Sequence, residues 1–328
     1  MKYLLQYILG FAFFFCMQLH AQDPHFSQYY ANPIYLNPAF AGAERCPRVI
    51  SNYRNQWPSI AGQFATSSIS YDQHVNFLQG GIGLQVMNDM AGEATLSTTS
   101  VSLMYAYVLN VNRVFSIRTG FQAAFTQKVL DASKLIFADQ LNALKGLIGP
   151  TSETHIAQSV MYSDFSAGML GYSKNFYGGV AVHHLTQPNE SLIQGSTSTL
   201  PMKITVHAGG IIPLKKMSER TTSLSPNILF YKQGDFTQIN VGLYALTRPL
   251  TYGIWYRTGV TGSTEKRDAI IALVGIKQPR YSLGFSYDFT ISDISMASGG
   301  SLEFSGSYIF PCKAPKTKKY RAMECPKF

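Results

Sequence analysis

Any chemistry in this 328-residue chain would have to come from a few histidines and a scatter of charges. His183 and His184 are neighbours, and on a strand neighbouring side chains point to opposite faces, so they do not make a metal pair. His25, His74, His155 and His207 are spread along the chain without ligand spacing. His207 shares a strand face with Thr205, which suits packing. A lipid hydrolase would need a Ser–His pair with an orienting polar group at a lipid-facing rim. The residues argue against an enzyme and imply neither metal nor cofactor. The remaining ionisable groups that stand out are Arg54, Asp72, Asp89, Arg118, Arg257, Asp288 and Glu303, each on the polar phase of an alternating segment. In a narrow interior they must pair, because an unpaired buried charge is costly. Such a set either fills a closed lumen with salt bridges or lines a polar path or docking surface.

The elements that hold these charges alternate with a period of two. In YSLGFSYDFT, Tyr281, Leu283, Phe285, Tyr287 and Phe289 share one face, and Ser282, Gly284, Ser286 and Asp288 the other. RVFSIRTGFQAAF sets Phe115, Ile117, Phe121 and Phe125 against Ser116, Arg118, Gly120 and Gln122. About fourteen such segments follow one another, centred near residues 53, 68, 84, 103, 119, 167, 180, 206, 228, 241, 254, 272, 285 and 306. Charged residues make up 14% and aromatics 13%, where a soluble chain carries about 25% charged residues. The pattern predicts an all-β chain: a transmembrane antiparallel β-barrel of about 14 strands, with a secreted β-sandwich as the alternative. Short connections near residues 111, 174, 248 and 278 contrast with long ones over 127–162 and 185–202, the asymmetry of an outer-membrane barrel with both termini in the periplasm.

Residues 1–21 read as a signal peptide: Lys2, an apolar stretch, then Leu19-His20-Ala21. The expected division is then an N-terminal periplasmic or plug segment over 22–48, the barrel over 49–311 and a basic periplasmic tail over 312–328. The stretch HFSQYYANPIYLNPAFAG cannot be a central strand, because Asn32-Pro33 and Asn37-Pro38 each remove a backbone donor. Its rings still need burial, and with Phe26, Tyr29, Tyr30 and Phe40 it either plugs or lines the mouth or covers the lower rim. The tail residues Lys313, Lys316, Lys318, Lys319, Arg321 and Lys327 carry most of the net charge of +9 and suit an acidic partner surface or anionic headgroups; an exported chain is a poor candidate for nucleic acid. Cys312 and Cys325 flank this tail and either pair or stay free. DASKLIFADQLNALKG, from Asp131 to Gly146, interrupts the strands as a short helix or a packed loop.

The opening stretch, followed by RVISNYRNQWPSI, resembles the start of the PorP/SprF family of type IX secretion system membrane proteins. GGIGLQVMNDMAGEATLSTTSVSLMYAY, SKLIFADQLN, HLTQPNES, LPMKITVHAGG, SPNILFYKQGDFTQINVGL, YGIWYRTG, RDAIIALVGI, LGFSYDFTIS and MECPKF extend the likeness in order over nearly the whole mature chain. Gly299-Gly300-Ser301-Leu302-Glu303 departs from a Ser-His-Glu-like step of the family, which puts in doubt any histidine role there. The resemblance implies an outer-membrane barrel of Bacteroidota-like bacteria that serves type IX secretion or gliding. It implies as partners a secreted, adhesin-like surface protein with a C-terminal sorting domain, periplasmic components including a peptidoglycan-binding protein, and outer-membrane lipid. Cargo contacts are then expected on Leu135, Phe137, Asp139 and Gln140 or in the upper lumen, with the tail facing the periplasmic partner. The rival readings are a passive channel or hydrophobic-solute transporter and, from a third class, a lipid hydrolase.

Overall fold

The computed structural model describes residues 23–60, 62, 64–92, 95–112, 114–136, 140–142, 146–147, 158–214, 222–261, 264–291 and 299–312. Among them, fourteen antiparallel strands form the wall. The first seven are β1 (Arg48–Gln56), β2 (Phe64–Val75), β3 (Gly80–Ala91), β4 (Leu96–Asn110), β5 (Ser116–Leu130), β6 (Ser159–Tyr172) and β7 (Phe176–His183). The second seven are β8 (Lys203–Gly210), β9 (Thr222–Gln233), β10 (Phe236–Thr247), β11 (Leu250–Thr261), β12 (Thr264–Lys277), β13 (Tyr281–Thr290) and β14 (Ser301–Ile309). Each pairs with its sequence neighbours, and β1 pairs with β14 from Arg48↔Ile309 to Gln56↔Ser301, so the sheet closes on itself. Every segment expected from alternation is one of these strands. Closure removes the edges that an open sheet would leave unpaired in lipid.

The apolar phase points outward and the polar phase inward. Leu103, Phe121, Ile254, Leu283 and Phe304 are all more than half exposed, while Ser70, Ser102, Ser166, Ser225, Ser286 and Asn240 are buried inside. A water-soluble barrel would be turned the other way; an apolar outer band belongs in hydrocarbon. The short connections 76–79, 111–115, 173–175, 248–249 and 278–280 lie at one end, here called the turn side, where the chain enters β1. The long connections 131–158 and 184–202 lie at the other end, the loop side.

Two local alternatives are narrowed. Among the described residues of the stretch from Asp131, Asp131 caps a three-residue 3-10 turn, Ala132–Lys134, and Leu141–Asn142 bridges Gly146–Leu147, which fits the loop alternative. Cys312 bonds to Cys46, not to Cys325, which lies outside the described residues. The cause is the β1–β14 register: Cys46 precedes Arg48 and Cys312 follows Ile309, so ladder closure brings their Cα atoms to 5.5 Å across 266 residues of chain. The signal-peptide stretch and the tail residues Lys313, Lys316, Lys318, Lys319, Arg321 and Lys327 also lie outside the described residues.

Residues 23–46 run through the barrel interior. Asn37 is extended (φ −158°, ψ 123°), as a residue before proline prefers, and its Oδ1 accepts the Ala39 N–H at 2.9 Å to start the turn Pro38–Phe40. Pro33 likewise opens the turn Pro33–Leu36. Two successive short turns give an arm too compact for a strand, and the lumen wall makes room for it. An added Cβ on Gly120 would meet Ala39 N at 2.2 Å, and one on Gly81 would meet Ala41 O at 2.3 Å. The arm begins near the loop side, at Asp23 beside His184 and Gln233, and leaves at the turn side through Cys46. The two described ends of the chain therefore lie at opposite ends of the barrel.

Candidate functional site

The inward charges gather around the arm. On β1, Arg54 reaches Asp288 of β13 at 2.9 Å and Glu303 of β14 at 3.3 Å. Arg257 of β11 takes the same Asp288 oxygen at 2.6 Å and forms an ion pair with Asp268 at 2.7 Å. These four residues meet because alternation puts each on the inner face and strands β11, β13, β14 and β1 curve round to one side of the lumen. The arm completes the cluster. Ser27 N–H and Gln28 N–H donate to the two Glu303 carboxylate oxygens at 2.6 and 3.1 Å, and Ser27 Oγ–H donates to Asp288 at 2.6 Å. Arg257 Nη1 also lies 3.1 Å from His25 Nε2. Buried ion pairs of this kind gain little net stability but strongly penalise the loss of one member. They fix where the arm sits.

The other three expected network residues act separately. Asp72 pairs with Arg48 (2.9 Å) and accepts the Gly42 N–H (3.0 Å). Arg118 donates to the carbonyl oxygens of Ala39 (2.8 Å) and Ala41. Asp89, less buried, accepts from Thr66 at 2.6 Å. One expected network is thus three arm anchors and a bystander. Alternation also puts Arg48 in phase with Arg54, so that partner was readable; Ser27 and Gln28 were not, since nothing local gives an irregular segment its lumen contacts.

The arm's rings are spent on packing. Phe26, Tyr29, Tyr30, Pro33, Pro38 and Phe40 are buried, with Asn32 and Asn37 bonded to the wall. Tyr29 meets Trp255 edge-on at 5.0 Å and donates to Asn240 at 2.7 Å. Tyr30 packs on Tyr177, and Phe40 stacks on His207. The arm contacts the wall from Glu303 and Asp288 near the loop side to Arg118 near the turn side, and so fills this length of the lumen.

Above it, towards the loops, lies a vestibule of about 490 Å³. Asp23, His25 and Tyr35 form its floor, and Gln85, Asp89, Thr98, Ser100, Gln122 and Thr126 part of its wall. The connection 184–202 folds into it: Glu190 pairs with Lys128 at 3.0 Å, and Leu200 is buried. His184 sits between two carboxylates, Asp164 at 2.8 Å and Asp23 at 2.7 Å. Burial alone would push its pKa down, but these carboxylates outweigh burial and push it up to about 9. Burial would raise the Asp23 carboxyl; His184 and Lys203 instead hold it well below the usual carboxylate range. Of the expected cargo residues, Leu135 and Gln140 are half-buried in the 131–158 connection, and Phe137 and Asp139 lie outside the described residues.

No curated protein sequence matches the chain significantly. Among solved structures, it is similar to the P. putida toluene transporter TodX (10% identity, 84% of this chain and 93% of that chain, TM-score 0.46). It is also similar to the CymD monoaromatic hydrocarbon channel (10%, 85% and 93%, 0.44) and to the KdgM porin (11%, 80% and 99%, 0.34). The family described as type IX secretion system membrane protein PorP/SprF matches residues 18–308, so this chain, an outer-membrane β-barrel, belongs to the PorP/SprF family.

Proposed function

We propose that this barrel has no catalytic task and helps secrete, anchor or display a surface protein, such as a large adhesin with a C-terminal sorting domain, in type IX secretion or gliding. The observation that carries the reading is the arm. A lumen bolted to the arm by Arg54, Arg257, Asp288 and Glu303 towards the loop side and by Arg118 towards the turn side suits a docking body better than a conduit. The cargo approaches from the loop side, where the vestibule and the 131–158 connection are open to it. On the turn side, Arg45, Lys174, Arg248, Lys277 and Arg280, with the tail, present positive charge to a periplasmic partner, a peptidoglycan-binding protein among them, or to lipid headgroups.

Deleting the gene and comparing surface-shaved and spent-medium proteomes tests this. Loss of one surface protein identifies a dedicated display partner, and loss of many identifies a core component. Unchanged secretion, together with conductance of the purified barrel in bilayers, would instead favour the passive channel or solute-transporter reading.

A further inference from the structure

From Phe26 to Glu44 the arm is buried almost without a break, but its first three described residues, Asp23, Pro24 and His25, are only half-buried. The Asp23 carboxylate nevertheless sits in a built cradle. His184 Nε2 approaches one oxygen at 2.7 Å and Lys203 Nζ the same oxygen at 3.4 Å, while Gln233 Nε2 donates to the other at 3.2 Å. These donors come from three elements: the 184–202 connection, β8 and β9. Each donor is also held by contacts other than Asp23. His184 is held through Nδ1 by Asp164, whose other oxygen accepts from Thr186 at 2.6 Å. The Lys203 ammonium lies over the Tyr231 ring at 5.6 Å, and Gln233 faces Lys203 across the β8–β9 ladder.

We propose that this cradle is a receptor for a carboxylate carried by an extended peptide entering from the loop side, and that Asp23 occupies it until displaced. The proposal rests on the reading that cargo approaches the vestibule. Three features support it. Release of Asp23 frees only the half-buried end of the arm, because Ser27, Gln28 and Tyr29 hold the remainder. Once vacated, the Lys203 ammonium, whose ion pair among the described residues is with Asp23, faces a cavity and needs an anion, since an uncompensated buried charge is strongly unfavourable. The cavity above is of ligand-pocket size. Its Thr98, Ser100, Gln122, Thr126 and Ser166 side chains offer donors and acceptors across the inner faces of β4, β5 and β6.

The test uses the detergent-purified mature chain, wild type and Asp23→Ala, and three fluorescent peptides in a titration. Acetyl-Ser-Gly-Ser carries a terminal carboxylate, acetyl-Ser-Asp-Ser-amide a side-chain carboxylate, and acetyl-Ser-Gly-Ser-amide none. Asp23→Ala is expected to bind at least one carboxylate peptide tenfold more tightly than the uncharged one, and more tightly than wild type does. The better of the two identifies the source of the carboxylate. Adding Lys203→Met should erase the preference. Equal binding of all three peptides, or none by Asp23→Ala, overturns the receptor. Cargo display by the Asp23→Ala strain is read separately, so the receptor can fail while the proposed function stands.

Discussion

Replacing Gly120 with alanine tests whether the lumen wall and the arm fit as closely as the contacts imply. The new methyl carbon would stand 2.2 Å from Ala39 N, 2.4 Å from Pro38 C and 2.5 Å from Ala39 Cα, all backbone atoms. No rotamer change relieves such a clash; either β5 or the arm must move. Strand β5 is held by full ladders to β4 and β6, so the arm is the softer element. Overpacking of this kind costs about 1–3 kcal/mol. Shifting Ala39 and Ala41 also stretches the two hydrogen bonds from Arg118, and bonds to a charged group contribute about 1.5–3 kcal/mol each. Partial loss of both terms gives on the order of 3 kcal/mol against arm docking. That raises the undocked fraction roughly a hundredfold. Chymotrypsin should then cut at Tyr29, Tyr30 or Phe40 in the purified, still-folded barrel, and bilayer conductance should rise. Gly306→Ala is the control, since its added carbon meets nothing closer than Leu283 Cδ2 at 3.6 Å. If the two variants resist protease equally and neither conducts, the argument for a tightly cradled arm is wrong.

Glu303→Ala removes the acceptor of two arm N–H groups and a partner of Arg54, and should lower stability in denaturant titrations by about 3–5 kcal/mol. Asp89→Ala, which loses one hydroxyl bond at the vestibule, should cost only about 0.5–1.5 kcal/mol, and equal losses would refute the division between anchors and bystander. Thiol titration of the unreduced, denatured mature chain should find one reactive cysteine, none in Cys325→Ser and two in Cys312→Ser. The His184 clasp should also respond to pH. A raised imidazole pKa means its contribution is complete below the ordinary value of 6.5 and fades as pH rises through about 9. Protease access to the Asp23 end should increase over that range in wild type, with no such step in His184→Gln.

The wall was legible because each strand repeats the same apolar-polar step, and lipid outside leaves only one way to orient it. The same step put Arg54, Arg118, Arg257, Asp288 and Glu303 inside. It could not say that Arg118 serves peptide carbonyls while Arg54 and Arg257 share Asp288, since that depends on where the arm lies. The cysteines show the limit most plainly. Cys325 is near Cys312 in sequence, but the closing ladder puts distant Cys46 beside it. The Asp23 clasp was invisible for a related reason: His184 lies just past the end of β7, where alternation no longer reports direction.

The Cys46–Cys312 bond has a mechanical consequence. A barrel made from one chain has a single seam where its first and last strands meet, and that seam is where it could unzip sideways into the membrane. Here the seam is riveted at the turn-side rim, so any gap between β1 and β14 can start only from the loop side. The rivet also turns the whole wall into a covalent hoop, from which the arm hangs as a tether fixed at Cys46. A load pulling on the arm from the vestibule would therefore be borne by the hoop, through a bond at the far rim, and not by the ladder hydrogen bonds of β1 alone.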